Sequence, residues 1–129
     1  MTETVRTVRV MIVDDQAPFR AAARMVVELT ESFEVVGETD TGEASVELVH
    51  ELDPDLILMD VNLPGINGLE ATRRILDDSD RRRVIVLLST YEPEEYAPQA
   101  EKAGADSYIP KAMFGPDELQ AAWEAATAG

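Results

Sequence analysis

The sequence reads VIVLL at residues 84–88, an uninterrupted apolar run of the kind expected for a strand buried on both faces. Other short runs of apolar and β-branched residues lie on either side of it, separated by segments with helical periodicity. We therefore expect five strands, near residues 8–13, 33–37, 55–59, 84–88 and 106–109. This strand–helix alternation predicts an α/β fold, a doubly wound five-stranded parallel sheet with helices on both faces.

Five residues bear on the helix boundaries in this pattern. Asn67 followed by Glu70 resembles a capping box that starts the third helix, and Gly104 has the position of a helix stop. Pro116 falls in the first turn of the last helix, where proline is favoured. Pro98 instead lies inside the expected fourth helix, where proline removes a backbone hydrogen bond. That helix therefore either starts late, near Pro98, or is kinked there.

Length and composition fit one globular domain. The 129 residues predict a single domain, 1–129, with a folded core of about 7–127. The lack of cysteine excludes disulfides, thiolate nucleophiles and cysteine-ligated zinc. The apolar run at residues 10–13 is too short for a signal peptide or a membrane span, so we expect a cytoplasmic protein without membrane contact.

The charge pattern argues against nucleic-acid binding. A net charge of −15 repels a phosphate backbone, so we expect no direct nucleic-acid contact. Two small arginine clusters, at residues 73–74 and 81–83, lie among acidic residues and are interpreted as a solvated mixed-charge face.

Polar side chains follow the predicted central strands. Asp14 and Asp15 end the first strand, Asp60 the third and Ser89 the fourth, while Lys111 stands just after the fifth. Because ligands of open parallel sheets bind beyond the carboxyl ends of the strands, these side chains are candidates for one shared site.

The composition of this predicted site favours phosphoryl transfer. Converging carboxylates repel one another unless a cation holds them, and oxygen ligands without His or Cys favour Mg²⁺. A carboxylate can serve as the nucleophile and form an aspartyl phosphate. Lys111 and the Ser89 hydroxyl would then stabilise the phosphoryl oxygens.

The chain resembles the receiver domains of two-component response regulators, most closely the nitrate-regulator subfamily. The resemblance spans nearly the whole chain and depends on six segments: residues 13–15 (VDD), 36–38 (VGE), 53–60 (DPDLILMD), 63–68 (LPGING), Ser89, and 103–108 (AGADSY) leading to Lys111. It implies a flavodoxin-like receiver fold with strand order 2-1-3-4-5.

The resemblance also implies a role for each site residue. Asp60 is the phosphoacceptor, with Lys111 and Ser89 assisting the transfer. Asp14 and Asp15 hold Mg²⁺ together with Asp60 and the backbone carbonyl of Asn62. A switch pair, Ser89 and Tyr108, reports phosphorylation. Asn62 and Tyr91 flank the phosphate, and the bulky Tyr91 is expected to prolong its lifetime by hindering water.

The implied function is a phosphorylation-dependent signalling switch. The phosphoryl donor is a sensor histidine kinase or a small phosphodonor, and the output is a downstream protein or an effector domain outside this sequence; a homodimer is left open. The chain is expected to assist its own phosphorylation and dephosphorylation without being an enzyme in its own right. Two alternatives stay open, a phosphorylation-independent interaction module and an aspartyl-phosphate phosphatase. A flavin carrier is disfavoured, because acidic residues 14–15 would repel its phosphate.

Three further positions have no expected role at the site. Many family members carry a cis proline directly after the lysine, but here Ala112 follows Lys111, so this cis bond is not transferred. His50 is expected on the surface. Trp123 is expected in the core, with an interface role as the alternative.

Overall fold

A parallel sheet forms the centre of the molecule. The computed structural model describes residues 7–90 and 93–128, with the backbone alone over 93–97. Within these residues five strands pair in the order β2-β1-β3-β4-β5, all parallel. They are β1 (Val8–Val13), β2 (Phe33–Thr39), β3 (Leu56–Asp60), β4 (Val84–Ser89) and β5 (Ser107–Pro110). The predicted strand order, 2-1-3-4-5, is confirmed.

Helices cover both faces of the sheet. They are α1 (Ala17–Leu29), α2 (Gly42–Leu52), α3 (Gly68–Asp78), α4 (Pro93–Ala103) and α5 (Pro116–Thr127), with a short 3₁₀ helix at Lys111–Met113. One core packs α1 and α5 against the sheet, and the other packs α2, α3 and α4. β3 and β4 are buried along their whole length, as their apolar sequences predict. No helix in the described part of the chain is long and apolar enough to cross a membrane.

The predicted helix boundaries are confirmed at three positions. The Asn67 side chain accepts a 2.9 Å hydrogen bond from the Glu70 amide and caps α3. Gly104, with φ +95°, follows the end of α4, and α5 begins at Pro116. The late start of the fourth helix is wrong, because α4 begins at Pro93 and continues through Pro98. Burial of Ala100 and Ala103 anchors the turns beyond that proline. A kink at Pro98 stays a prediction.

Two other expectations need correction. β2 continues to Thr39, beyond the predicted end at 37, and its pairing with β1 contains a register shift. The polar residues at its end hide this part of the strand from the apolar pattern. The arginine cluster at 81–83 is not simply a solvated face, since Arg83 is 4% exposed and lies 2.8 Å from the Asp53 carboxylate. Arg81 pairs with the same carboxylate at 2.9 Å.

His50 and Trp123 lie largely as expected. His50 is exposed, and its Nε2 lies 2.7 Å from a carboxylate oxygen of Asp78. Trp123 is partly buried against the core that contains α1 and α5. Its ring meets Phe33 edge-on, with 6.3 Å between the centroids. The interface alternative for Trp123 stays a prediction.

Candidate functional site

Three acidic side chains meet at the carboxyl edge of the sheet. Asp14 and Asp15 directly follow β1, and Asp60 ends the adjacent strand β3. Each of the three offers an oxygen, and these oxygens all lie within 4.8 Å of one another. Asp14 and Asp60 are buried, whereas Asp15 is exposed at the mouth of the site. The structure therefore brings together the carboxylates that the sequence predicts to be close.

Lys111 supplies the positive charge of this cluster. Its Nζ lies 2.7 Å from Asp14 Oδ2 and 3.6 Å from Asp60 Oδ1. The side chain is 9% exposed and lies over the ring of Phe19, 4.4 Å from the ring centroid. The lysine thus crosses from the end of β5 to the acidic residues with an aromatic face beneath its ammonium group, where cation and ring attract each other.

The environment of Asp60 favours its neutral form. The pKa of Asp60 is raised from 3.8 to about 6, chiefly by burial and also by the nearby charge of Asp14. Lys111 and the Asn62 amide, which donates to Asp60 Oδ1 at 3.3 Å, act in the opposite direction. The site therefore holds more negative charge than its single lysine neutralises, and a bound cation would relieve this repulsion.

Backbone packing fixes the end of β3. The Val61 amide donates to the carbonyl of Leu88 on β4 at 3.0 Å, and the Gly68 amide donates to the Val61 carbonyl at 2.9 Å. A Cβ atom at Gly68 would collide with the Asp60 carbonyl oxygen. The first turn of α3 therefore rests directly on the backbone that carries Asp60, and only glycine permits this approach.

The other predicted site residues lie around this centre. Ser89, at the end of β4, is fully buried, and Leu88 before it is the β4 partner of Asp60 in register. Tyr108 on β5 is half-buried and packs against the core beneath α2, α3 and α4. Asn62 is exposed beside Asp60. Tyr91 lies outside the described residues.

Sequence reasoning missed two residues at the site. Phe19 lies under the Lys111 ammonium, although its apolar side chain gives no sign of a role beside charged residues. Arg20 was not singled out, yet its Nη1 donates a 2.7 Å hydrogen bond to the Asp14 carbonyl. The available signal was their place in the first turn of α1, directly after the acidic pair.

Comparison with known proteins identifies the family. A family model described as the response regulator receiver domain matches residues 10–124. The chain belongs to this family. The receiver domain is 38% identical over 117 residues to NarL, the nitrate/nitrite response regulator protein of Escherichia coli K12, covering 91% of this chain and 54% of NarL. It spans about half the length of the curated relatives first matched.

Solved structures agree with this family and with its nitrate-regulator-like subfamily. A two-component response regulator of the LuxR family from Aurantimonas sp. SI85-9A1 has 36% identity and a TM-score of 0.85, covering 95% of this receiver domain and 86% of that chain. The receiver domain of the histidine kinase CKI1 from Arabidopsis thaliana, complexed with Mg²⁺ and BeF₃⁻, has 27% identity and a TM-score of 0.83. The match covers 97% of this receiver domain and 92% of that one. The flavodoxin-like receiver fold predicted from the sequence is confirmed.

The residues present fit the Mg²⁺ ion that the family implies. The donors are carboxylate oxygens of Asp14, Asp15 and Asp60, the hard ligands that Mg²⁺ prefers. Asp14 Oδ2 is buried and, among the described residues, receives no well-directed hydrogen bond despite its ionic contact with Lys111. Lys111 alone does not offset the charge of three adjacent carboxylates, so this set of donors suits a divalent cation.

Proposed function

We propose that this receiver domain is a Mg²⁺-dependent signalling switch that accepts a phosphoryl group on Asp60 from a sensor histidine kinase or a small phosphodonor. The observation that carries the proposal is the placement of Asp60 between two further acids and Lys111 at the carboxyl edge of the sheet. Ligands of open parallel sheets bind beyond this edge, and a carboxylate placed there can act as a nucleophile toward a phosphate.

The transfer forms one bond and breaks one. An oxygen of ionised Asp60 attacks phosphorus, and the bond from phosphorus to the donor breaks, so that the donor leaves with its electron pair. When bound, Mg²⁺ supplies positive charge that offsets the phosphoryl oxygens. Lys111, whose Nζ lies 3.6 Å from Asp60 Oδ1, adds a further positive charge, and the Ser89 hydroxyl donates a hydrogen bond to a phosphoryl oxygen. Asp14 and Asp15, with the Asn62 carbonyl, would hold the metal.

The partners follow from the proposed switch. The similar receiver domain of CKI1 was solved in complex with Mg²⁺ and BeF₃⁻, which supports the proposal that this domain binds Mg²⁺. The curated relatives are about twice as long, which supports an effector domain or a separate downstream protein as the output. A cytoplasmic setting without membrane or nucleic-acid contact completes the proposal for this domain. We treat it as an assisted phosphoacceptor instead of a turnover enzyme.

The readout of phosphorylation is proposed to involve Ser89 and Tyr108. Drawing the Ser89 hydroxyl toward the phosphoryl group leaves room for Tyr108 to move inward, which shifts an equilibrium already present in the surface near α4. Asn62 and Tyr91 would set the lifetime of the phosphate, because the family resemblance implies that these two positions flank it.

One experiment separates the candidate functions. The protein is incubated with acetyl phosphate and Mg²⁺, and its intact mass is recorded against Asp60→Asn and a Mg²⁺-free control. We expect one phosphoryl group on the wild-type chain alone, with the variant folded, because Asn removes the nucleophile at nearly constant volume. Wild-type labelling of Asp60→Asn would refute the assignment of Asp60. No labelling of the wild type would favour an interaction module, and continuous release of phosphate at high turnover a phosphatase.

A further inference from the structure

Arg20 on α1 connects the backbone of the acidic pair to β2. Its Nη1 donates to the carbonyl oxygen of Asp14 at 2.7 Å, and its Nε lies 3.5 Å from Glu38 Oε1. Both side chains are about one-quarter exposed, so water screens this ion pair less than it screens a pair on the open surface. The guanidinium therefore bridges the strand end that carries the acids and the neighbouring strand.

The carbonyl that Arg20 contacts belongs to the peptide unit between Asp14 and Asp15. The rest of Asp14 is already held: its amide donates to the Thr39 carbonyl at 3.1 Å, and its Oδ1 accepts from the Gln16 amide at 2.8 Å. Because a peptide unit is planar, holding its carbonyl fixes the direction in which the chain enters Asp15. Asp15 is the exposed acid of the three, so fewer neighbours constrain it.

We propose that Arg20, braced by Glu38, is a positioning residue that orients Asp15 for Mg²⁺ and thereby sets the metal affinity of the site. The inference rests on the proposed function. Arg20 touches neither the metal nor the phosphate in this scheme. It acts through the Asp14–Asp15 peptide, in the way that groups behind metal ligands orient those ligands.

Arg24 provides a matched control on the same helix. It lies one turn further along α1 and pairs with the same carboxylate, its Nε lying 2.6 Å from Glu38 Oε2. It also reaches Glu28, at 3.7 Å. Replacing either arginine by methionine removes one positive charge and one partner of Glu38, but only Arg20→Met removes the hydrogen bond to the Asp14 carbonyl.

The loss of charge and the loss of the hydrogen bond change the Mg²⁺ affinity in opposite directions, and only Arg20→Met loses the hydrogen bond. Loss of a positive charge makes the domain more acidic, which by itself attracts Mg²⁺ more strongly in both variants. Loss of the peptide anchor weakens Mg²⁺ binding in Arg20→Met alone. We expect about a tenfold larger dissociation constant for Arg20→Met, within the range found for groups that orient metal ligands. Arg24→Met should bind Mg²⁺ as tightly as the wild type or slightly more tightly.

The test uses calorimetric titration of the unphosphorylated proteins with Mg²⁺ and rates of phosphorylation by acetyl phosphate over a range of Mg²⁺ concentrations. For Arg20→Met we expect the half-saturating Mg²⁺ concentration to rise about tenfold while the rate at saturation stays within about twofold of the wild type. If Arg20 had a purely structural role, Arg20→Met would lower the melting temperature without changing the half-saturating Mg²⁺ concentration selectively. Arg20→Lys, which keeps a donor and the charge, should recover part of the affinity.

Amide spectra of the metal-free proteins give a readout independent of activity. We expect Arg20→Met to move the signals of residues 14–16, and Arg24→Met to leave them in place. Should Arg20→Met fold poorly, Glu38→Gln removes the partner of Arg20 and should also move the signals of residues 14–16, a readout that the change of charge alone does not explain. Equal Mg²⁺ constants for Arg20→Met and Arg24→Met would overturn the inference while leaving the proposed function intact. A wild-type domain that binds no Mg²⁺ would overturn both.

Discussion

Lys111 Nζ lies closer to Asp14 than to the proposed phosphoacceptor, at 2.7 Å from Asp14 Oδ2. The ammonium group thus neutralises a carboxylate that the proposal assigns to Mg²⁺. A lysine and a divalent cation compete for the same oxygen, because each repels the other at this distance. The pairing therefore stabilises the metal-free site and opposes the entry of the ion.

Replacing Lys111 by methionine should strengthen Mg²⁺ binding and weaken phosphorylation. Removal of the competing cation frees Asp14, and methionine keeps an apolar chain over Phe19. We expect roughly fivefold tighter Mg²⁺ binding, about 1 kcal/mol, in calorimetric titrations. Phosphate incorporation from acetyl phosphate should fall at least tenfold or so, because the phosphoryl oxygens lose a cation. Lys102→Met, an exposed change of equal charge on α4, is the control. Weaker Mg²⁺ binding in Lys111→Met would contradict the competition.

Asp60→Asn should stabilise the metal-free protein near pH 7. The pKa of Asp60 in the folded state is raised from 3.8 to about 6, chiefly by burial. Above about pH 6 the folded protein contains a buried, ionised Asp60, which lowers its free energy of unfolding. The rise in pKa corresponds to a loss of at most roughly 3 kcal/mol. Urea unfolding in chelator should show the variant to be more stable, and saturating Mg²⁺ should reduce the difference.

The same pKa sets the sign of the pH dependence. As the pH falls from about 6 towards 3.8, folded Asp60 takes up a proton before the unfolded chain does, so the wild type gains stability relative to Asp60→Asn. The difference between the two proteins should therefore shrink on acidification. Asp53, whose pKa is lowered to about 2 by hydrogen bonds from Arg81 and Arg83, loses its contribution only below 3.8. If the difference in free energy of unfolding between the wild type and Asp60→Asn stayed the same from pH 4 to pH 7, the raised pKa of Asp60 would be contradicted.

Asp15→Ala should severely weaken Mg²⁺ binding. Asp15 contributes a carboxylate oxygen to the acidic group and, being exposed, has the least desolvation to oppose its charge. Asp40→Ala is the matched control, since Asp40 is an exposed acid directly after β2 at the same edge of the sheet. Calorimetry should show a loss of about thirtyfold or more for Asp15→Ala and little change for Asp40→Ala. Asp15→Ala should also melt at a higher temperature in chelator, because it removes mutually repelling charge.

Gly68→Ala should destabilise the domain because the added methyl group meets backbone. The nearest atom to a Cβ at Gly68 is the Asp60 carbonyl oxygen, which cannot turn aside as a side chain can. We expect a loss of about 1–3 kcal/mol in urea unfolding. Gly115→Ala is the control, since its nearest neighbour is the flexible end of Glu118 at 3.0 Å. Equal stability of the two variants would show that the contact at Gly68 relaxes easily.

The sequence was sufficient for the sheet and for the meeting of the acids. Apolar runs of strand length locate β3 and β4, and the rule for parallel sheets brings Asp14 and Asp60 to one edge. The sequence could not predict the contacts between side chains of different helices and strands. Periodicity assigns Phe19 to an apolar face, but only the folded chain shows Lys111 above its ring. The place of Arg20 just after the acidic pair marks it as near the site, but its contact with a backbone carbonyl is visible only in the folded chain.

Local rules also failed where packing outweighs propensity. Pro98 argued for either a late start or a kink in the fourth helix. The late start is wrong, because α4 runs from Pro93 to Ala103, and its last turns are held by buried alanines. The end of β2 was missed because Glu38 and Thr39 are polar. These residues are extended by pairing with β1, which is a long-range cause.

Phosphorylation of Asp60 should reach the surface through Ser89 and Tyr108. Ser89 is fully buried at the end of β4, and half-buried Tyr108 lies on the neighbouring strand, where its register partner is Leu87. A phosphoryl group on Asp60 that draws the Ser89 hydroxyl inward changes the space beside this strand end. We therefore expect Mg²⁺ with BeF₃⁻, a phosphoryl mimic, to move amide signals at the metal site and throughout residues 93–115.

Ser89→Ala distinguishes the conformational change near α4 from the binding of Mg²⁺ and BeF₃⁻ at Asp60. The variant lacks only the hydroxyl, so Mg²⁺ and BeF₃⁻ should still move the signals of Asp60 and its neighbours, while those of residues 93–115 stay near their free positions. Tyr108→Phe keeps the ring and should retain most of the distant changes if ring packing, and not the phenol, carries the signal. BeF₃⁻ without Mg²⁺ is the control for both. Changes confined to the metal site in the wild type would exclude Ser89 and Tyr108 as the coupled pair, because a shift of population at the surface must appear in the amides that form it.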